Sequence, residues 1–135
     1  MDMEEINRRT IEQFRAGGEI EGMHRERLVL LTTVGRRSGA QLTKPMLVHR
    51  DGEHRYVIAS NNGAPHDPEW YRNLVADPRV TVEIDDDTYA ATATPLAGGD
   101  YERVWTELKQ AYPFLVDHEA RAGRLIPVVD LVPNR

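Results

Sequence analysis

Six β-rich segments, separated by turn signals, constrain the fold of this 135-residue chain more than any other feature. Along the chain they read "LVLLTTV", "LTKPMLVHR", "RYVIAS", "RVTVEI", "TYAATATP" and "IPVVDLVP". Asp51-Gly52 and the triplet Asp85-Asp86-Asp87 stand between neighbouring segments, and such residues are typical of β-hairpin turns. Consecutive hairpins form an antiparallel sheet, which a chain of this length closes most economically as a small barrel.

A helix is predicted before the first strand. Residues 4–15 can place Ile6, Ile11 and Phe14 on one face, and Gly17-Gly18 end the segment. Such a helix can pack on the core, cover a ligand cleft or touch a membrane surface, and we expect packing on the core.

Two further helices are predicted between strands. One begins with Asp67 as N-cap and Pro68 as its first helical residue. The other follows Gly98 and ends at Tyr112, and a short polar segment then leads to the last strand. The predicted fold class is therefore mainly β with short helices (α+β), in one domain over residues 1–135, with the N-terminal helix within 1–18 and the barrel core over 28–133.

Pro45 interrupts the second predicted strand. Proline cannot donate a ladder hydrogen bond, so the strand is predicted to lie at an edge or to carry a bulge at this position. Ligands often approach the backbone at such places.

The charge of the chain is unevenly distributed. The whole chain carries -5, but residues 25–55 hold seven Lys/Arg and three acids, a net of +4, which leaves -9 for the remainder. A local excess of this kind favours a site for an anionic ligand over a nucleic-acid surface, which needs a broad basic face. No apolar run reaches the roughly 18 residues of a membrane span, and no signal peptide begins the chain. Cytoplasmic residence is expected, with membrane association through the N-terminal helix as an alternative.

The basic residues concentrate in the stretch "VGRRSGAQLTKP". Gly35 and Gly39 would let the backbone approach a ligand, while Arg36, Arg37, Ser38 and Lys44 are charge-assisted donors for phosphate or carboxylate. The alternative interpretation is a solvated hairpin tip.

Other chemistries have weaker support. No G-x-S-x-G turn frames a serine nucleophile, and the chain has no cysteine. The five histidines lack the spacing of a zinc site, so no metal is expected.

The sequence resembles the deazaflavin-dependent nitroreductase family of actinobacteria. The resemblance rests on "LLTTVGRRSG", a proline six residues later, "VIASNNGAPHDPEWYRNL", "DPRVTVEI" and "IPVVDLVP", and it runs from about residue 28 to residue 133. It implies an FMN-binding-like split antiparallel β-barrel and coenzyme F420, a deazaflavin whose tail carries a phosphate and several glutamates. The implied reaction is hydride transfer from the reduced deazaflavin to a quinone, a nitro compound or an unsaturated carbonyl.

The resemblance also implies the site residues. The implied coenzyme-binding residues are Arg36, Arg37, Ser38, Gly39, Leu42, Thr43, Lys44, Pro45, Met46, Leu47, Ile58, Ala59, Ser60, Asn61, Glu69, Trp70, Tyr71, Arg72, Asn73 and Leu115. Ser60, Tyr112 and His118 are the protic candidates for catalysis. The loop with Arg36, Arg37 and Ser38 resembles the family's tail-phosphate site.

Some positions depart from the family pattern. Leu42 stands where the family often has an arginine, and Lys44 could replace that charge because it lies two residues further along the strand. Tyr112 matches one tyrosine of the substrate pocket of the nitroreducing members, whereas Leu47, Leu115 and His118 occupy other aromatic positions.

Three alternatives remain open at the level of sequence. The barrel could bind FMN instead, it could carry deazaflavin without catalysis, or it could be an interaction module without a cofactor. The expected partners are a small-molecule hydride acceptor and a second copy of the chain, and no nucleic acid.

Overall fold

The computed structural model describes residues 2–134, and the six strands found there form one closed antiparallel barrel. The strands are β1 (Leu28–Val34), β2 (Gln41–Asp51), β3 (His54–Ile58), β4 (Arg79–Ile84), β5 (Asp87–Pro95) and β6 (Val128–Pro133). Their order around the barrel is β1, β2, β3, β6, β5, β4, and β4 pairs back with β1. This architecture confirms the predicted barrel.

Four helices accompany the strands in the described part of the chain. They are α1 (Met3–Ala16), α2 (Glu69–Ala76), α3 (Gly98–Ala111) and α4 (Phe114–Ala122), with two 3₁₀ turns at Arg25–Arg27 and Asn61–Gly63. The prediction of a polar segment after Tyr112 was wrong, because α4 occupies most of it. In α4 only Leu115 and Ala122 are buried, while Phe114 and Val116 are exposed, so its apolar residues do not mark a single face.

The first strand is buried on both faces. Val29 and Leu31 point into the barrel interior with residues from the other strands, whereas Leu28 and Leu30 pack outside against Phe14 of α1 and Ile20. This two-sided burial explains the continuous apolar run in the sequence, since a strand with one wet face would alternate. α1 therefore packs on the barrel, as expected.

The second helix closes one end of the barrel. Leu74 is fully buried in the interior cluster, and Trp70 and Tyr71 pack against that cluster. The helix begins one residue later than predicted: Pro68 is the N-cap and makes no side-chain cap bond. Asp67 does not cap the helix, and its carboxylate instead pairs with Arg124 at 2.7 Å.

The position of Pro45 agrees with the predicted edge. β2 pairs with β1 over residues 41–47 but with β3 only over residues 48–51. Pro45 therefore lies in the half of β2 that has a strand on one side only, where no second ladder needs its missing N–H. The open side of this half-strand faces the cleft described next.

Candidate functional site

A cleft of about 620 Å³ lies along the open half of β2. Its walls come from β2, the end of β3, the loop of residues 59–67, the start of α2, α4 and the first two turns of α1. The lining residues are Met3, Asn7, Lys44, Pro45, Met46, Leu47, Ile58, Ser60, Asn61, Asn62, His66, Asp67, Pro68, Glu69, Trp70, Phe114, Leu115 and His118.

Many residues implied by the resemblance meet in this cleft. Those that line it are Lys44, Pro45, Met46, Leu47, Ile58, Ser60, Asn61, Glu69, Trp70, Leu115 and His118. Leu42 and Thr43 line a neighbouring groove on the other side of α1, which Lys44 and Asn7 share with the cleft. Arg36, Arg37, Ser38, Gly39, Ala59, Tyr71, Arg72, Asn73 and Tyr112 do not line the cleft itself. The coenzyme-binding and catalytic roles of all these residues stay predictions.

The glycine-flanked basic loop, residues 35–39, is tied back on itself and to α2. The N–H of Gly35 donates to Ala40 O at 2.7 Å, and Ser38 Oγ accepts from the N–H of Ala40 at 3.1 Å. Arg36 Nη1 donates to Asn73 Oδ1 at 2.8 Å, and this contact explains why the Asn73 side chain is buried in a short amphipathic helix. Ser38 thus serves the turn in this structure.

The carboxylate of Glu69 lies among arginines at the rim of the cleft. Arg36 Nη1 is 2.6 Å from Glu69 Oε2, and Arg72 Nη1 is 3.7 Å from Glu69 Oε1. The hydrogen bond from Arg36 is the main reason why the pKa of Glu69 lies below its ordinary value, with charge contributions from Arg36, Arg72 and Arg37. Two guanidinium groups thus contact one exposed carboxylate, an arrangement that suits an anionic ligand group equally well.

Two further cations near the cleft have no internal partner. Arg37 and Lys44 are exposed, and within residues 2–134 neither makes a hydrogen bond or ion pair. Lys44 lines the cleft, and Arg37 lies beside Glu69 closely enough to affect its titration. The guanidinium group of Arg37 and the ammonium group of Lys44 are therefore available to bind an anion.

The 59–67 loop has an unusual backbone. Asn61, Asn62 and Gly63 all have positive φ, at 49°, 54° and 80°. Asparagine tolerates this left-handed region better than most residues, which fits the run "NNG" in the sequence. Such conformations persist only where surrounding contacts hold them.

Arg124 supplies those contacts, and the sequence analysis did not identify it. Its guanidinium donates to the carbonyl oxygens of Ala59, Ser60, Ala64 and His66 at 3.0–3.3 Å and to Asp67 Oδ1 at 2.7 Å. Because four of the five acceptors are backbone atoms far away along the chain, no residue pattern in the sequence marks this role.

The protic candidates differ in their surroundings. His118 lines the cleft, and its Nδ1 is buried with no hydrogen-bond partner among the described residues. Burial, followed by the charge of Arg121, lowers the pKa of His118 below 6.5, so the ring is mostly neutral at pH 7. Tyr112 instead directs its hydroxyl to Nδ1 of His49 at 3.0 Å, a partner that the sequence did not indicate.

Comparison with known proteins identifies the family. The model of the F420H(2)-dependent quinone reductase family matches residues 4–133, almost the whole chain. The chain belongs to this family. It is 32% identical over 106 residues to an F420H(2)-dependent quinone reductase of Mycobacterium tuberculosis, covering 76% of this chain and 71% of that protein.

Solved structures agree with that assignment. An F420-H2 dependent reductase matches with a TM-score of 0.71 and 33% identity, over 82% of this chain and 99% of that chain. A second structure, described as a domain-swapped dimer, matches with a TM-score of 0.73 and 31% identity, over 92% and 95%. Family membership confirms the predicted split barrel, the oxidoreductase class and F420 as the coenzyme, and it points to quinone among the three acceptor classes left open by the sequence.

Membrane-spanning helices and metal centres are two features that would indicate other functions. No helix within residues 2–134 is long and apolar enough to cross a membrane. In the same range, no group of three or more His, Asp or Glu side chains is arranged to hold a metal ion.

Proposed function

We propose that this member of the F420H(2)-dependent quinone reductase family binds reduced F420 and a quinone in the 620 Å³ cleft and catalyses hydride transfer between them. One observation carries the proposal: the segments of β2, β3 and α2 that the resemblance implied as coenzyme-binding meet in one cleft, together with α4. Holding two reactants in contact is the main contribution that a protein makes to such a reaction.

The donor set around the cleft fits the anionic tail of the coenzyme. Arg37 and Lys44 lack internal partners among the described residues, and Arg36 and Arg72 hold a carboxylate that a phosphate or glutamate group could replace. We assign these four cations to the phosphate and carboxylates of the tail, because charge-assisted hydrogen bonds to such anions are short and strong.

The cleft walls suit a planar ring system. Met46, Leu47, Ile58, Trp70 and Leu115 supply apolar surface that excludes water from the reacting atoms. The bound coenzyme supplies a hydride, and its carbon at the position of the flavin nitrogen favours two-electron steps over radical ones.

Completing the quinone reduction also requires a proton. Of the three protic candidates, Ser60 and His118 line the cleft, whereas the Tyr112 hydroxyl is bonded to His49. Neutral His118 can hold a proton on one ring nitrogen and orient a quinone oxygen through an N–H donor. We therefore place His118 and Ser60 at the acceptor and give Tyr112 a role in shaping the wall behind Leu115.

The acceptor preference follows from side-chain shape. Leucine and histidine at positions 47, 115 and 118 remove stacking surface, and stacked aromatic pairs are worth about 0.5–1.5 kcal/mol each. We expect measurable reduction of menadione and poor reduction of bicyclic nitroimidazoles. Restoring rings with Leu115→Tyr and His118→Tyr should raise turnover of nitro compounds more than turnover of menadione.

The test follows oxidation of reduced F420 optically with each acceptor at matched concentration. Brisk reduction of nitroimidazoles by the unmodified protein would contradict this assignment of the pocket. Tight coenzyme binding without reduction of any acceptor would favour the carrier alternative.

The FMN alternative has its own test. We expect F420 to bind at least about tenfold more tightly than FMN, a difference of about 1.4 kcal/mol, because its tail adds carboxylates to the phosphate. Calorimetric titration of both at moderate salt measures this ratio, and equal or tighter FMN binding would overturn the coenzyme assignment.

The proposal also covers the oligomeric state and the cellular location of the protein. A similar solved structure is described as a domain-swapped dimer, and we propose a homodimer for this chain, which light scattering can test. We also propose that the protein resides in the cytoplasm. Contact of α1 with a membrane surface would have to use exposed Met3 and Ile6, since Ile11 and Phe14 pack on the barrel, and co-sedimentation with anionic vesicles can detect it.

A further inference from the structure

The Arg124 guanidinium is anchored more extensively than any other cation near the cleft. Its side chain is only 16% exposed, and it donates to four carbonyl oxygens of the 59–67 loop and to the Asp67 carboxylate. No atom of Arg124 lines the cleft, so it cannot act by touching a ligand there.

Arg124 lies where two walls of the cleft meet. It follows Gly123, the left-handed C-cap of α4, and α4 carries Leu115 and His118 on one wall. The 59–67 loop carries Ser60 and the other loop residues of the facing wall. The Arg124 side chain, just beyond the end of α4, is thus hydrogen-bonded along the loop that forms the facing wall.

The loop requires such an anchor. Its three consecutive residues with positive φ include two asparagines, and non-glycine residues persist in this region only where surrounding contacts hold them. Without the guanidinium, the carbonyl oxygens of Ala59, Ser60, Ala64 and His66 would lose a shared donor, and the loop would relax.

We propose that Arg124 is the positioning residue of the site: it sets the width of the cleft by holding the 59–67 loop against α4, and so determines the affinity for the deazaflavin ring. This inference rests on the proposed function of the cleft. It adds a residue outside the cleft to those that decide coenzyme binding.

Lysine at position 124 would not substitute. A guanidinium presents five N–H donors in a rigid fork, and that of Arg124 reaches five acceptors of the 59–67 loop as well as Leu125 O, with Nη2 shared among three of the carbonyl oxygens. An ammonium group carries only three donors on a flexible stem. Arg124→Lys therefore keeps the positive charge and removes the planar fork of N–H donors.

Arg50 provides a matched control on another face of the barrel. Its guanidinium pairs with both oxygens of Asp85 at 2.8 Å and 3.0 Å and donates to Glu26 O at 2.8 Å, remote from the cleft lining. Arg50→Lys thus breaks another multidentate arginine anchor, with three hydrogen bonds, without touching the 59–67 loop.

The experiment compares Arg124→Lys and Arg50→Lys with the unmodified protein in three measurements. These are the Kd for oxidised F420 by fluorescence titration, the melting temperature, and hydrogen exchange of the backbone amides of residues 61–64 and 66. We expect Arg124→Lys to raise Kd by about tenfold or more and to speed exchange in the loop. Arg50→Lys should lower the melting temperature comparably and leave both other readouts within about twofold of the unmodified protein.

Each outcome decides the matter. Normal Kd or unchanged loop exchange in Arg124→Lys overturns the inference, and so does an equal loss of affinity in Arg50→Lys. If Arg124→Lys does not fold, Asp67→Asn, which removes the charge of the one carboxylate acceptor, must still speed exchange in the loop, or the inference fails. If the unmodified protein does not bind F420, the proposed function fails, while the loop-exchange result still measures the anchoring by Arg124.

Discussion

Two loops frame the cleft, and they are held in different ways. The 35–39 loop is attached to α2 through Arg36, which donates to the buried Asn73 and also pairs with Glu69, whose side chain is 69% exposed. The 59–67 loop is attached through Arg124, which is 16% exposed and donates mainly to backbone carbonyl oxygens. Exposed ion pairs contribute about 0–1 kcal/mol, whereas hydrogen bonds from charged groups contribute roughly 1.5–3 kcal/mol each.

The difference in attachment indicates that the two loops have different roles in the cleft. An anionic ligand can compete with the Glu69 carboxylate for Arg36, because both bind the guanidinium through the same kind of contact. No ligand can replace the carbonyl oxygens bound to Arg124, because they belong to the loop itself. We therefore expect the 35–39 loop to respond to charge and the 59–67 loop to respond to backbone geometry.

The largest expected effect comes from removing the charge of the 35–39 loop. Arg36→Ala with Arg37→Ala should raise the Kd for F420 by about tenfold to several-hundredfold, since two charge-assisted contacts of roughly 1.5–3 kcal/mol each are lost and solvent offsets part of them. Fluorescence titration measures Kd, and circular dichroism checks the fold.

The matched control for this double variant removes two arginines elsewhere. Arg79→Ala with Arg103→Ala changes the net charge equally at two exposed sites outside the cleft lining. If the folded Arg36/Arg37 variant binds F420 normally, or no more weakly than this control, the 35–39 loop is a solvated hairpin tip.

A smaller effect is expected from straining the 59–67 loop. Gly63 has φ of 80°, and an added Cβ would lie 3.2 Å from the Arg121 guanidinium, the end of a flexible side chain that can move. Gly63→Ala should therefore cost mainly left-handed strain, roughly 1–2 kcal/mol of unfolding free energy, and should weaken F420 binding severalfold. Urea denaturation and F420 titration measure the two effects.

Gly22→Ala introduces similar backbone strain away from the cleft, so it serves as the control for Gly63→Ala. Gly22 has a similar φ of 75° and open space around its Cβ position, and it does not line the cleft. We expect a comparable loss of stability with unchanged F420 affinity. Equal weakening of binding by both substitutions would show that general destabilisation, and not the loop geometry, controls the cleft.

Removing the Glu69 carboxylate, which competes with the coenzyme for two arginines, should make F420 binding modestly tighter. Glu69→Gln frees Arg36 and Arg72 for the coenzyme, so F420 should bind more tightly, by up to about fivefold, because exposed ion pairs are weak. Glu102→Gln, at an exposed position on α3, removes the same charge away from the cleft and should leave Kd unchanged.

The pH dependence follows from the direction of the Glu69 pKa. The hydrogen bond from Arg36 lowers the pKa of Glu69 below 4.5, so the ion pair is complete above that value and is lost as pH falls through the lower folded pKa. The difference in Kd between Glu69→Gln and the unmodified protein should therefore be constant near neutral pH. A difference that already disappears near pH 7 would exclude Glu69 as the competitor.

The smallest effect concerns salt. Raising ionic strength from about 0.1 M to about 1 M shortens the screening length from about 10 Å to about 3 Å, so F420 binding should weaken. Arg37→Ala should reduce this salt dependence because Arg37 is exposed and has no hydrogen bond or ion pair within residues 2–134. An equal salt slope in both proteins would remove Arg37 from the binding site.

The sequence predicted the barrel because strand signals are local. Alternating "RVTVEI" and the doubly apolar "LVLLTTV" reflect one-sided and two-sided burial, and both patterns can be recognised without knowledge of the neighbours. α4 was missed because only two of its nine residues are buried, so the helix lacks an apolar periodicity.

The site was less predictable, for a different reason. Arg36 was correctly placed on a loop, but its engagement with Glu69 and Asn73 depends on how that loop meets a helix more than thirty residues away. Arg124 left no signal at all, because backbone carbonyl oxygens are present at every residue and cannot mark which of them a guanidinium will bind. The resemblance compensated for part of this by implying which segments converge.

The late position of Arg124 in the chain has a consequence for biosynthesis. Its acceptors lie 57 to 65 residues earlier, and β6, which completes the barrel between β3 and β5, follows directly after it. Because translation proceeds from the N-terminus, the 59–67 loop emerges long before its anchor exists. If Arg124 positions the cleft as proposed, the nascent protein acquires a competent cofactor site only after residue 124 has been synthesised, and translation products that stop before it should not retain the coenzyme.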